Sequence, residues 1–168
     1  KSAALQPRNS TPSISPRTVD HSGKVWFTQT EGVYYREANQ GRFVLVNRKA
    51  VNNGVKITQS IDIVETQPNV YWVSTNDNGI FELDFRQKTP ILNNYNASNS
   101  GLPSDFCSRL IYDQRGYLWV GTLRGLVRFD TQHKRMLSVY TPQNGMWDNN
   151  VTVNLNLHSD GNLIVNHY

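Results

Sequence analysis

Asp77 stands between Asn76 and Asn78, and this run of three offers both acceptors and donors, the mix that sugar hydroxyls require. Trp147 sits in the polar stretch GMWDNN, where an indole can stack on the face of a sugar. Arg124 is a lone charge in the short segment TLRG, and Glu31 a lone carboxylate in QTEG. Arg124, Asp77, Asn76, Asn78, Glu31 and Trp147 are therefore the candidate ligand-binding residues. Each has a plainer alternative. Trp147 serves equally as an anchor tucked over neighbouring structure, and Arg124 and Asp77 as ordinary solvated side chains.

Other chemistries find less support. The four histidines, His21, His133, His158 and His167, are far apart and show no metal-ligand spacing. Cys107 is the sole cysteine, so an intrachain disulfide and a thiol-rich zinc site are both excluded. No metal and no cofactor is expected. Lys plus Arg number 17 against 13 Asp plus Glu, a scattered excess of 4 with no basic run, so no nucleic-acid partner is expected. No apolar run approaches the ~20 residues of a membrane-spanning helix, so this segment is expected to make no membrane contact. The scarcity of cysteine suits the cytosol and the Gram-negative periplasm alike. The chain opens on Lys1 rather than Met and is read as a piece of a longer protein.

The candidates need a scaffold, and the sequence supplies a repeating one. Asp20 begins DHSGKVWFTQTEGVYY, Glu65 begins ETQPNVYWVSTNDNGIFELD, and Asp113 begins DQRGYLWVGTLRGLVRFD. HSDGNLIVNHY repeats the first half once more. The anchor positions Trp26, Trp72, Trp119 and Ile164 follow one another at intervals of 46, 47 and 45 residues. A fixed period of this size belongs to solenoids, propellers or arrays. Each unit reads as four short β-rich strands joined by Gly, Asn, Asp and Ser clusters, and no stretch has helical periodicity. The predicted fold is all-β, a β-propeller of four-stranded antiparallel blades.

The recurring residues then have structural work. Asp20, Glu65 and Asp113 stand at the turn from first to second strand, where a carboxylate can accept backbone N–H bonds. Gly23 and Gly116 supply a positive φ in that turn, and Gly32, Gly79 and Gly125 close the next hairpin. Trp26, Trp72 and Trp119 fill the wedge between neighbouring sheets. About three and a half blades are present, at about 12–47, 56–95, 106–140 and 151–168. Residues 1–11 form a tail or edge strand. A seven-bladed ring at this period needs about 320 residues. An open half-ring exposes sheet edges, so the remaining blades of the same protein, or a second copy, are expected to complete it.

The run from NSGLPSDFCSRLIY through DQRGYLWVGTLRGLVRFD resembles the two-component regulator propeller repeat. Gly101, Leu102, Pro103 and Ser104 match its opening turn. Asp113, Gly116, Leu118, Trp119, Gly121, Thr122, Gly125, Leu126, Phe129 and Asp130 match the strand pattern that follows. The earlier units depart from it, with Pro68 for the turn glycine and Ser74 for the strand glycine. The resemblance implies the periplasmic input half of a bacterial inner-membrane sensor whose kinase or diguanylate cyclase output lies elsewhere. It implies ligand sensing, with an oligosaccharide as the expected class, or a part in dimerisation, and no catalysis in this chain.

Two other readings compete. A protein-interaction scaffold is open to any propeller. A glycosidase-type enzyme is the weaker reading. Asp20 and Asp113 lie one residue too far from their glycines for the sialidase-type box S-x-D-x-G-x-x-W, and no carboxylate pair has an unusual context. In a propeller the hairpins between second and third strands share a rim with the loops between blades, and all six candidates are expected on that rim.

Overall fold

The computed structural model describes residues 16–37, 41–46, 56–87, 90–148, 150 and 154–166. The predicted tail 1–11 lies outside them. Four strands form the first sheet: β1 (Thr18–Val19), β2 (Val25–Gln29), β3 (Gly32–Arg36) and β4 (Val44–Leu45). The second contains β5 (Ser60–Gln67), β6 (Val70–Thr75), β7 (Ile80–Asp84) and β8 (Ile91–Tyr95). The third contains β9 (Cys107–Tyr112), β10 (Tyr117–Thr122), β11 (Gly125–Asp130) and β12 (Arg135–Tyr140). A hairpin of β13 (Asn154–Leu157) and β14 (Leu163–Asn166) follows. Every pairing is antiparallel between sequence neighbours. These are three propeller blades and the inner half of a fourth.

Local chemistry sets the turns. Asp20 Oδ1 accepts from the backbone N–H groups of Ser22 and Lys24, each at 2.9 Å. Asp113 Oδ1 does the same for Arg115 and Tyr117 at 2.8 and 3.1 Å, around Gly116 at φ 100°. In the second blade, where Pro68 precedes the bend, Asn69 takes the left-handed conformation at φ 64°, which asparagine tolerates better than most residues. The second hairpins depend on glycine for space as well as for φ. A Cβ on Gly79 would collide with the Tyr95 carbonyl, and one on Gly125 with that of Tyr140.

The sheets stack face to face, and apolar residues fill each wedge. In the first, Trp26 and Val33 meet Tyr71, Val73 and Phe81 of the next blade. In the second, Trp72 and Ile80 meet Leu118, Val120 and Phe129. In the third, Trp119 and Leu126 meet Leu155, Leu163 and Val165 of the half-blade. Trp26 is 2% and Trp72 0% exposed, as the wedge role requires, but Trp119 is only half-buried because just two strands lie opposite it.

Two features depart from the sequence reading. The segment after Tyr95 winds into a single turn, α1 (Ala97–Ser100), capped by Asn96 and ended by Gly101 at φ 75°. It is too short to leave a periodic signature. The fourth strand of the first blade, read as one of four comparable strands, contracts to Val44–Leu45.

Candidate ligand-binding rim

The tips of the second hairpins and the connections between blades lie together at one end. Gln59 N–H donates to the Thr30 carbonyl at 2.8 Å, Asn76 N–H to that of Gln59 at 2.9 Å, and Gly79 N–H to that of Asp105 at 2.8 Å. Glu31, Asn76, Asp77, Asn78 and Arg124 stand at these tips. Trp147 follows β12 on the loop that begins beside Gly125.

Asn76, Asp77 and Arg124 are exposed. Glu31 is exposed and its Oε2 accepts from the Tyr34 hydroxyl at 3.0 Å. Asn78 is already committed. Its carbonyl takes the Asn94 amide at 2.7 Å, its Oδ1 takes that of Asn96 at 3.4 Å, and its N–H donates to Thr75 Oγ1 at 3.0 Å. It braces the tip, and its amide has less freedom for a ligand than the sequence suggests. Trp147 is 88% exposed, and the anchoring of its loop falls to Met146, which packs in the third wedge. A short 3-10 turn, Pro142–Asn144, sets up this loop, with Thr141 N–H donating to Asn144 Oδ1 at 2.6 Å.

A second polar group lies on the innermost strands and was not singled out by the sequence. β5 and β9 each carry a register shift against their partners, between Ser60 and Asp62 and opposite Val120 to Thr122. Such bulges re-aim side chains. They bring Asp62 and Arg109 from adjacent blades to 3.7 Å. Asp62 Oδ2 also accepts from Leu110 N–H at 3.1 Å, and Oδ1 from Ile63 N–H at 3.0 Å. Burial pushes the Asp62 carboxyl up, with these bonds and Arg109 pulling against it. The one available signal was a carboxylate inside the β-branched run SIDIVE.

Asp20, Glu65 and Asp113 occupy the opposite rim. Burial disfavours ionised Asp20, yet hydrogen bonds from Trp26 Nε1 at 2.8 Å, the Tyr71 hydroxyl at 2.7 Å, Ser22 and Lys24 N–H outweigh it. They hold the carboxyl at about 2. Three blades so built, with charged and polar tips on one rim, define a β-propeller segment. Residues 101–124 match the family model described as two component regulator propeller.

Solved structures with the same fold include the extracellular domains of two hybrid two component systems from B. thetaiotaomicron. One is 17% identical, with a TM-score of 0.74 over 95% of this chain and 22% of its own. The other is 20% identical, with a TM-score of 0.71 over 91% and 21%. A third is PorZ, a surface component of the type-IX secretion system of Porphyromonas gingivalis. It is 18% identical, with a TM-score of 0.66 over 90% of this chain and 25% of its own. The chain thus spans a fifth to a quarter of these three structures. No curated protein matches it. The matched repeat is described as that of a two component regulator, in line with the expectation that this segment does no catalysis. Among the described residues no group of three or more His, Cys, Asp or Glu is placed to hold a metal. None of their helices is long and apolar enough to cross a membrane.

Proposed function

We propose that this chain is part of the sensor propeller of a two-component-type receptor, working outside the cytoplasm, in the periplasm or at the cell surface. The observation that carries the reading is the regulator-propeller repeat at 101–124, set in a fold shared with extracellular domains of hybrid two component systems. The exposed tip residues Glu31, Asn76, Asp77 and Arg124, with Trp147 beside them, support a small polar ligand on this rim, with oligosaccharides as the favoured class. Such a ligand needs donors and acceptors on a rigid base plus one stacking surface, and hairpin tips pinned to interblade loops supply that base. Whole-receptor signalling and ring completion, by further blades or a second copy, belong to the same proposal.

The test is calorimetric titration of the chain with a panel of neutral and acidic oligosaccharides. Saturable binding that Asp77→Ala or Trp147→Ala weakens tenfold or more supports the sugar reading. Binding that both variants leave untouched, or no heat across the panel, sinks it. Trp147 at 88% and Leu123 at 45% exposure, both on this rim, favour a second reading, a protein-docking scaffold. Light scattering separates the two-copy ring from the monomer: a dimer supports self-completion, and a monodisperse monomer overturns it.

A further inference from the structure

The residue paired with the repeat tryptophan on the third strand changes from blade to blade: Tyr35 opposite Trp26, Glu82 opposite Trp72, Arg128 opposite Trp119. In both complete wedges a residue from the turn after the third strand of the following blade closes over the tryptophan, and in the second it also pairs with the residue opposite that tryptophan. The Tyr35 ring lies tilted against Trp26 at 5.3 Å, and Phe85, just past β7, approaches the same indole at 6.2 Å and packs in that cluster. Glu82 is 4% exposed and pairs with Lys134, which precedes β12 and lies 5.1 Å over the Trp72 ring. Asn93 supplies a further N–H to Glu82 at 3.1 Å. Aromatic side chains gather around Trp26, and ammonium meets carboxylate beside Trp72.

The third wedge has the key without its match. The Arg128 guanidinium lies 3.7 Å over the Tyr117 ring and 5.8 Å from that of Trp119. Its Nε is buried and has no hydrogen-bond partner among the described residues. β13 and β14 cover only the inner part of the wedge. The outer edge of β14 is paired with no strand among the described residues, and Ile164, at the repeat's anchor position, is 42% exposed. A guanidinium held over an aromatic ring is positioned to take a carboxylate, and a buried N–H without an acceptor is costly to leave so.

We propose that this wedge is a docking surface for a β-hairpin of the same repeat type, added antiparallel to β14, whose turn brings a carboxylate to Arg128. The charge at the position opposite the tryptophan thus selects which hairpin a blade accepts. Strand addition gives the backbone pairing, Trp119 and Tyr140 the apolar floor, and Arg128 the choice of partner.

The repeat itself provides the probe. Tyr168 follows Leu123 by the same 45 residues that separate Ile164 from Trp119, so residues 124–140 copied directly after Tyr168 continue the pattern in register. Two such fusions are compared in a Trp147→Phe background, which removes the exposed indole. One keeps Lys at the copied position 134, and the other carries Lys134→Glu in the copy alone. The Glu fusion is expected to melt about 2–4 °C higher than the Lys fusion. Its Trp119 should be as protected from acrylamide as buried Trp26 and Trp72, and Arg128→Glu in the host should reverse the preference. Fusions that melt alike with Trp119 still quenched overturn the docking surface. Trp119 protected equally in both overturns the carboxylate requirement.

Discussion

Blades 1 and 2 meet the same demand, a carboxylate at the first turn, with side chains that differ by one methylene. Asp20 keeps its oxygens at home: Oδ1 closes the turn and Oδ2 holds Trp26 Nε1, with the Tyr71 hydroxyl arriving from the next blade. Glu65 gives its own turn a single bond, from Asn69 N–H at 3.0 Å, and reaches back to blade 1. There it takes His21 Nδ1 at 2.6 Å and His21 N–H at 2.8 Å. Trp72 Nε1 is left with no acceptor among the described residues, although the residue is fully buried. The two arrangements run in opposite directions across one junction, and each ties blade 1 to blade 2. The task common to Asp20, Glu65 and Asp113 is the turn bond from the N–H four residues on, and at the junction of blades 1 and 2 the spare oxygens also tie one blade to the next.

The largest expected effect tests how far the tryptophans are equal. Trp72→Ala removes a fully buried indole and should cost about 3–5 kcal/mol. Trp119→Ala, in the half-covered wedge, should cost roughly half of that by its smaller buried area. Denaturant titration of both decides. Equal losses would mean that the half-blade fills its wedge as completely as a whole blade does.

Asp20→Asn comes next. A carboxyl held at about 2, below its ordinary value near 4, adds stability that is fully present above pH 4 and fades as the pH falls toward 2. The amide variant should lose on the order of 2 kcal/mol at pH 7 and show a flatter acid limb. If wild type and variant keep the same stability difference from pH 7 down to pH 2, Asp20 is not the group that titrates.

The smallest effect is the most telling about direction. Glu65→Asp should withdraw the carboxylate from His21 and bring it within reach of Trp72 Nε1. An exposed clasp worth under about 1 kcal/mol is exchanged for a buried hydrogen bond of similar size, so the net change in stability should stay within about 1 kcal/mol. The Trp72 indole N–H resonance should move downfield. A resonance that stays put would show that the bulge between Glu65 and Gln67, rather than side-chain length, aims the carboxylate.

What the sequence conveyed follows from range. Turn chemistry is local, so DHSG and DQRG announced their carboxylate-closed turns, and the Gly-started third strands announced their hairpins. The strand pairs joined by those turns could be read in the same way. Contacts between blades are not local. The pairing of Glu82 with Lys134 spans 52 residues and that of Asp20 with Tyr71 spans 51, and neither residue type signals its partner. The exposed hairpin tips were legible as a group because the repeat puts them in one register. That Asn78 is spent on Asn94 and Asn96 was not, since it depends on how the 94–99 segment folds back. The half-burial of Trp119 was likewise out of reach, because its motif is the most regular of the three and only the neighbouring hairpin leaves it uncovered.

Cys107 sits at the start of β9, 0% exposed, its thiol 3.6 Å from the Ser104 carbonyl, with burial and nearby Asp105 pushing its pKa up. A thiol so placed is shielded from alkylating reagents. The folded protein is in effect cysteine-free toward maleimides. A reporter cysteine introduced at Asp77 or Trp147 can therefore carry a fluorophore alone, making either rim position addressable without first re-engineering the interior.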